Sequence, residues 1–349
     1  MEQTYPLQAK KLPHPERKKR ILNDDVFELE WNHCLDDLWF LIDDHSLKLI
    51  DVLYLLKRSH SDFVGHQLYL ACGDANNLSS ESAAVFFAAE RFSRWGGHYF
   101  QTTDALEKLF NRSDVGDTCP ASFLRPPFQA VYLSFGQLDS SAFSIRHAET
   151  GNHILEGAYV FEGFRDGYRF LDIVLVGKPK AHALDDAIDS MHLIIEDESV
   201  TLSKLLEKTI DSTIRLKQGV MTDQDIKNIV GAINHVAKTL LYINSKCGRK
   251  QKNFALTENM ARIKNLGPQK QARALRKIKY MHDKIVIGPE RFNISFTIDK
   301  GMSGNAKSPH WRRGHFRIRQ KHLMFIDPML IREDLINDKD LVSKPYLIK

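Results

Sequence analysis

An α+β fold follows from the order in which the periodicity of apolar residues changes along the chain. Apolar residues recur at helical spacing up to about residue 116, alternate strand-like from about residue 120 to 177, and return to helical spacing between 201 and 245. A strongly basic stretch follows, ending in strand-like pieces. The expected organisation is a helical N-terminal region (1–116), an antiparallel sheet with two packing helices (117–245) and a basic C-terminal region (246–349).

Each element has a local reason. Residues 33–57 place Leu35, Leu38, Leu41 and Ile42, then Leu47, Ile50, Leu53 and Leu56, at the three- and four-residue spacing of an amphipathic helix or helical pair. Ser79 or Ser80 caps a next helix that stops before Gly96-Gly97, with Phe86, Phe87 and Phe92 as core aromatics. Residues 103–110, TDALEKLF, continue the helical reading. Beyond Pro120, the runs 128–136, 142–149, 153–164 and 168–177 are rich in β-branched and aromatic residues. Gly151-Asn152 and Asp166-Gly167 separate them and favour tight hairpins, so an antiparallel meander follows, with 191–197 as a further strand. Thr201 and Thr222 open two helices, the second carrying Ile226, Ile229, Val230, Ile233, Val236, Ala237 and Leu240 at helical spacing.

The C-terminal region reads less evenly. Residues 246–271 lack a sustained apolar face and read as a loop, whereas 269–284 form a helix with Ala272, Leu275, Ile278 and Met281 as its stripe. Strand-like pieces at 292–298, 315–320 and 321–331 are expected to join the central sheet, burying Phe316, Ile318, Leu323, Phe325 and Ile326.

Charge sharpens the picture. The 349 residues carry a net +5, but Lys246 to Lys321 holds twenty lysines and arginines against four acids, a net +16 that leaves −11 to the rest. Such polarity points to a polyanionic partner, because clustered cations release counterions from phosphates. No apolar run approaches the roughly 20 residues of a membrane span, and the first twenty residues lack the apolar core of a secretory signal. The expected location is the cytoplasm, away from membranes. Cys34, Cys72, Cys119 and Cys247 are scattered without CxxC or zinc spacing, so reduced thiols, no metal and no cofactor are expected.

The densest stretch is SPHWRRGHFRIRQKH, residues 308–322, with three histidines and five Lys or Arg around Gly314. Pro309 and Gly314 bracket a turn presenting Arg312 and Arg313, whose guanidinium groups suit phosphate, while Trp311 and Phe316 supply stacking or packing faces. Arg317, Arg319, Lys246, Arg249, Lys250, Arg273, Arg276 and Lys277 extend the candidate RNA-binding set. Two further roles stay open for His310 and His315: general base and acid in metal-free RNA cleavage, or hydrogen bonding that holds the turn. No compact Asp/Glu cluster accompanies them, which argues against a two-metal nuclease.

The string Pro309-His310-Trp311-Arg312-Arg313-Gly314-His315-Phe316 resembles the Pro-His-x-Arg-Arg-Gly-His-aromatic signature of the second-described type V-A anti-CRISPR family, carried by phages and plasmids. Residues 118–135, TCPASFLRPPFQAVYLSF, and the later GAYVFEGFRDGYRFLDIVLV resemble that family's Leu-x-x-Pro turn, strand and hairpin. This chain departs from the pattern at Phe316, where Trp is common, and at Arg125-Pro126-Pro127-Phe128. The resemblance implies recognition of a nascent polypeptide, the type V-A CRISPR effector nuclease or another target, and loss of its mRNA during translation. RNA or the ribosome would then be a second partner. The alternatives are a histidine-based ribonuclease and a regulator that binds nucleic acid nonspecifically.

Overall fold

The structure is a computed structural model of the 349-residue chain. It describes residues 13–22, 39–49, 51–52, 80–115, 119–136, 143–147, 150–180, 187–216, 222–246, 248, 250–278, 281–291, 295–297 and 310–331. Among them the helices are α1 (His14–Leu22), α2 (Trp39–Asp43), α3 (Ser80–Arg94), α4 (Asp104–Phe110), α5 (Leu202–Leu216), α6 (Asp223–Asn244), α7 (Ala255–Ile263) and α8 (Pro268–Ile278). The strands are β1 (His98–Thr102), β2 (Ser113–Asp114), β3 (Ala130–Ser134), β4 (Ser144–His147), β5 (Gly151–Arg165), β6 (Tyr168–Gly177), β7 (Ile188–Ile195), β8 (Lys250–Asn253), β9 (Lys284–Ile287), β10 (Ser295–Thr297), β11 (His310–Arg312), β12 (Gly314–Arg319), β13 (His322–Ile326) and β14 (Met329–Ile331).

The fold is α+β, built on an eight-stranded sheet in the order β7-β6-β5-β3-β1-β9-β8, with β4 also pairing β5. The meander β5-β6-β7 is antiparallel, and its first turn carries positive φ at Asp166 (51°) and Gly167 (83°), the twist a two-residue hairpin needs. The sheet is not antiparallel throughout. β1 lies between β3 and β9 and runs parallel to both, so the sheet is mixed. β1 follows Gly96-Gly97 at once and is followed at once by α4, whose N-terminus is capped by the Thr103 side chain.

The sheet has two covered faces of different character. Val131, Leu133, Ala158, Val160, Leu171, Ile173, Leu175 and Leu193 pack beneath α5 and α6 in one apolar cluster with α4. α6 starts with a Thr222/Asp225 capping box and buries Ile229, Ile233, Val236, Ala237 and Leu240. The opposite strand positions carry Tyr99, Tyr132, Tyr159, Phe161 and Asp172, all buried, and face Phe87, Arg91 and Phe92 of α3. There Asp172 contacts Nδ1 of His192 at 2.7 Å and Arg91 Nη1 at 3.7 Å, and accepts from Leu49 N–H at 2.6 Å. Burial alone would raise the Asp172 carboxyl; His192 and then Arg91 and the Leu49 amide outweigh it and hold it below its ordinary value.

Several expectations need correction, among them the helix predicted over 269–284: α8 is described to Ile278, residues 281–283 are not helical, and Lys284 opens β9 of the central sheet. The terminal strands do not join the central sheet: β10-β14-β11 and β13-β12-β2 form two separate three-stranded sheets. The hairpin β12-β13 instead buries Phe316, Leu323 and Phe325 against helices, with Phe325 edge-on to Phe110 of α4 and Tyr242 of α6. Ile318, on the wedge face next to the hairpin turn, is 37% exposed, and Ile326 is half-buried because it pairs with His315 on the opposite face, away from the helices. Finally, residues 250–263 are not a loop but β8 followed by α7, whose first amides, Leu256 and Thr257, donate to Asp283. Of the predicted helical span 33–57, α2 and residues 44–49 and 51–52 are described and the rest lies outside the described residues, as does the side chain of Phe86.

Candidate nucleic-acid interface

The conspicuous motif of the sequence straddles the two small sheets. His310, Trp311 and Arg312 form β11, paired antiparallel with Ile331, Leu330 and Met329 of β14; their side chains lie outside the described set. Arg313 is the turn, and Gly314 opens β12, which runs parallel to β2. Gly314 is held by its N–H donating to the carbonyl of Arg112 at 2.9 Å. A Cβ there would come within 2.4 Å of Ser113 Oγ and 2.9 Å of the Ile326 carbonyl, so only glycine fits between these strands.

Strand alternation then sorts the side chains. Phe316 points inward, 3% exposed, with its ring 4.9 Å from that of Phe325; it is a packing residue. His315, Arg317 and Arg319 take the other face, opposite Ile326, Met324 and His322 of β13. Arg317 and Arg319 are exposed, His315 half-buried, and Lys321 and His322 at the hairpin end are exposed. The hairpin is thus a greasy wedge with a cationic back. Its turn residues Gln320 and Lys321 both have positive φ, 50° and 64°.

Arg313 is more than half exposed and its Nη1 lies 3.1 Å from Oδ2 of Asp114. Asp114 is also the acid beside Lys238, whose Nζ donates to the Phe110 carbonyl at 2.9 Å. Burial lowers the Lys238 pKa, Asp114 opposes that shift and Arg313 adds to it, so Asp114 mediates between two cations. The His315 ring places Nδ1 3.5 Å from the carbonyl of Arg313, a long contact across the turn rather than an alignment with a carboxylate.

The remaining predicted cations are spread over other elements. Lys246 is exposed and its N–H donates to the Leu323 carbonyl at 2.9 Å, which sets it beside the hairpin. Lys250 lies on β8, the exposed edge of the central sheet, and Arg273 is exposed on α8. Arg276 and Lys277 belong to α8 with side chains outside the described set, and Arg249 lies outside the described residues. Among the described residues no group of His, Cys, Asp or Glu has the arrangement to hold a metal ion.

A buried arginine forms a second hub. Arg169, 3% exposed, donates to the carbonyls of Leu124 at 2.8 Å and Ala121 at 3.1 Å, and its Nε and Nη2 fork onto Glu198 at 2.8 Å each. It thereby ties the Leu-x-x-Pro turn to the β5-β6 hairpin. The hydrogen bond from Arg169 is the main reason the Glu198 carboxyl sits below its ordinary value, against the opposing effect of burial. The signal was available: Arg169 shares a strand phase with Leu171, Ile173 and Leu175, where a solvated charge has no place.

A family model described as the anti-CRISPR type V subtype A2 family, AcrVA2-like, matches residues 100–332. The chain belongs to this family. The AcrVA2-like match runs from β1 past β14 and so takes in the terminal motif, the Leu-x-x-Pro turn and the β5-β6 hairpin together. A crystal structure of AcrVA2 aligns with a TM-score of 0.46 and 13% identity, covering 92% of this chain and 98% of that one. No curated protein matches the chain. Among the described residues no helix is long and apolar enough to cross a membrane.

Proposed function

We propose that this AcrVA2-like chain acts against a CRISPR effector while the effector is being made, recognising the nascent polypeptide and promoting loss of its mRNA. The observation that carries the RNA half is the β12-β13 hairpin, where exposed Arg313, Arg317, Arg319 and Lys321 ride on a wedge anchored by buried Phe316, Leu323 and Phe325. Guanidinium groups on a fixed strand contact successive phosphates without reading bases, which suits message or ribosomal RNA of any sequence. Lys246 beside the hairpin, with Lys250, Arg273, Arg276 and Lys277 on β8 and α8, adds to the same attraction.

The division of labour places polypeptide recognition in the body and RNA contact in the segment from about residue 246 onward. The type V-A effector nuclease is the first target to test, given the family. Arg312 and Arg313 are assigned to phosphate, and His310 and His315 to holding the turn, in keeping with the His315 contact to the Arg313 carbonyl.

Crosslinking in cells, with the bound RNA and the bound nascent peptides read from one purification, tests this reading. The expected result is enrichment of one message together with the N-terminal peptides of its product. Recovery of RNA without any peptide would leave a nonspecific nucleic-acid binder. Cleavage of naked RNA by the purified chain, abolished by His315→Gln, would assign the chemistry to the protein instead.

A further inference from the structure

The polar face of the central sheet holds an unusual guest. α1, with the sequence HPERKKRIL, is among the most charged helices of the chain, yet His14 and Arg17 are fully buried, Lys18 is 2% exposed and Glu16 is 5% exposed. Its seat is a carboxylate among tyrosines. Glu156 accepts from the backbone N–H of His14 at 2.5 Å and from Arg17 Nη2 at 3.0 Å, while Tyr132 Oη donates to the same carboxylate at 3.3 Å. The His14 ring lies 2.7 Å from the hydroxyl of Tyr159, and Glu16 meets Lys284 at 3.1 Å, whose ammonium lies over the Tyr99 ring.

The seat is built into the sheet. By alternation from Tyr159, position 156 of β5 belongs on the apolar face with Ala158 and Val160. A register shift between Leu155 and Gly157 turns Glu156 onto the tyrosine face and sends Leu155 to the apolar one. Gly157 has no room for a side chain, because a Cβ would lie 2.5 Å from Tyr132 Oη and from the Leu133 carbonyl. The bulge, the glycine and the tyrosine together aim one carboxylate at a helix N-terminus and at the guanidinium in that helix's first turn. A carboxylate in that position complements both the free amides and the helix dipole.

Buried charges of this kind hold a segment less firmly than apolar side chains of the same volume, because desolvation consumes most of the Coulombic gain.

We propose that the Glu156–Tyr132–Tyr159 seat is a binding site for a basic helical segment of the target polypeptide, one with an arginine three residues after its first helical residue, and that α1 is its intramolecular competitor. This rests on the reading that the body recognises a polypeptide. α1 would keep the seat filled until a better-matched segment arrives, lowering the apparent affinity for weak basic peptides and so sharpening selection.

The test uses the full chain and, as probe, a fluorescein-labelled peptide of residues 13–22, PHPERKKRIL. The double variant His14→Ala/Arg17→Ala should bind the probe at least tenfold more tightly than wild type, since its own α1 competes poorly. Adding Glu156→Gln should remove that gain. A folded double variant that binds no probe overturns the proposal. Should the double variant not fold, hydrogen exchange on the wild type decides: excess unlabelled peptide should speed exchange of the amides of residues 16–22, and unchanged protection overturns it. Capture of a nascent effector chain is measured in parallel. Capture that survives Glu156→Gln sinks this site and leaves the proposed function standing, whereas probe binding without capture supports the site and sinks that function.

Discussion

The central sheet and the β12-β13 hairpin handle charge in opposite ways. Inside the sheet each buried charge has a fixed counterpart: Asp172 has His192 and Arg91, Glu156 has Arg17, and Arg169 has Glu198 and Glu162. On the hairpin, Arg317 and Arg319 project from the face turned away from the apolar wedge, and among the described residues no acid is paired with either. Matched buried charges fix geometry at little net gain, while exposed cations on a rigid strand cost the fold little and remain available to phosphate.

Breaking the matched side of the comparison should give the largest effect. Asp172→Ala leaves Arg91 buried without its acid and should cost about 3–5 kcal/mol in chemical denaturation. The same group predicts an acid limb. Its folded pKa lies below the unfolded value of about 3.9, so its contribution is complete above that value and is lost as pH falls through the lower folded one. Wild type should therefore lose Tm more steeply than Asp172→Asn below about pH 4. Equal slopes would place the acid sensitivity elsewhere.

Gly314→Ala tests the joint between the two regions. The added methyl meets Ser113 Oγ and the Ile326 carbonyl, and overpacking of this kind costs about 1–3 kcal/mol. Loss of RNA binding together with that stability would show that the hairpin must be docked to act. Smallest in stability are the surface changes. Arg313→Ala, which gives up an exposed pair with Asp114, and Arg317→Ala should each move stability by no more than about 0.5 kcal/mol, while weakening RNA binding. His315→Gln keeps a hydrogen-bonding side chain but cannot shuttle a proton, and should lower activity only modestly.

How much of this was legible in the sequence follows the same divide. The β5-β6 hairpin announces itself through Asp166-Gly167 between aromatic, β-branched runs, and α6 through Thr222 and Asp225 ahead of its apolar stripe. β1 was hidden because five residues between a Gly-Gly and a helix cap are too few to show a period, although β3 and β9 flank it on both sides. β8, KQKN, was hidden by its polarity and α7 by its exposure, since an edge strand and a helix that buries little more than Ile263 need no continuous apolar face. Nothing local in the basic run at 14–20 reveals that Glu156, some 140 residues onward, receives it. The motif at 309–316 stood out as chemistry, yet its split into a buried Phe316 and an exposed arginine face depended on the docking of β12 against α4 and α6.

The most direct test of the central claim is RNA affinity of the full chain across salt, measured for wild type and for Arg313→Ala/Arg317→Ala/Arg319→Ala. The account predicts that wild-type affinity falls steeply with salt and that the variant's log–log slope is shallower by about 2, three phosphate contacts at roughly 0.7 each for single-stranded RNA, with Tm little changed. An identical slope in wild type and variant, or wild-type binding indifferent to salt, would contradict it.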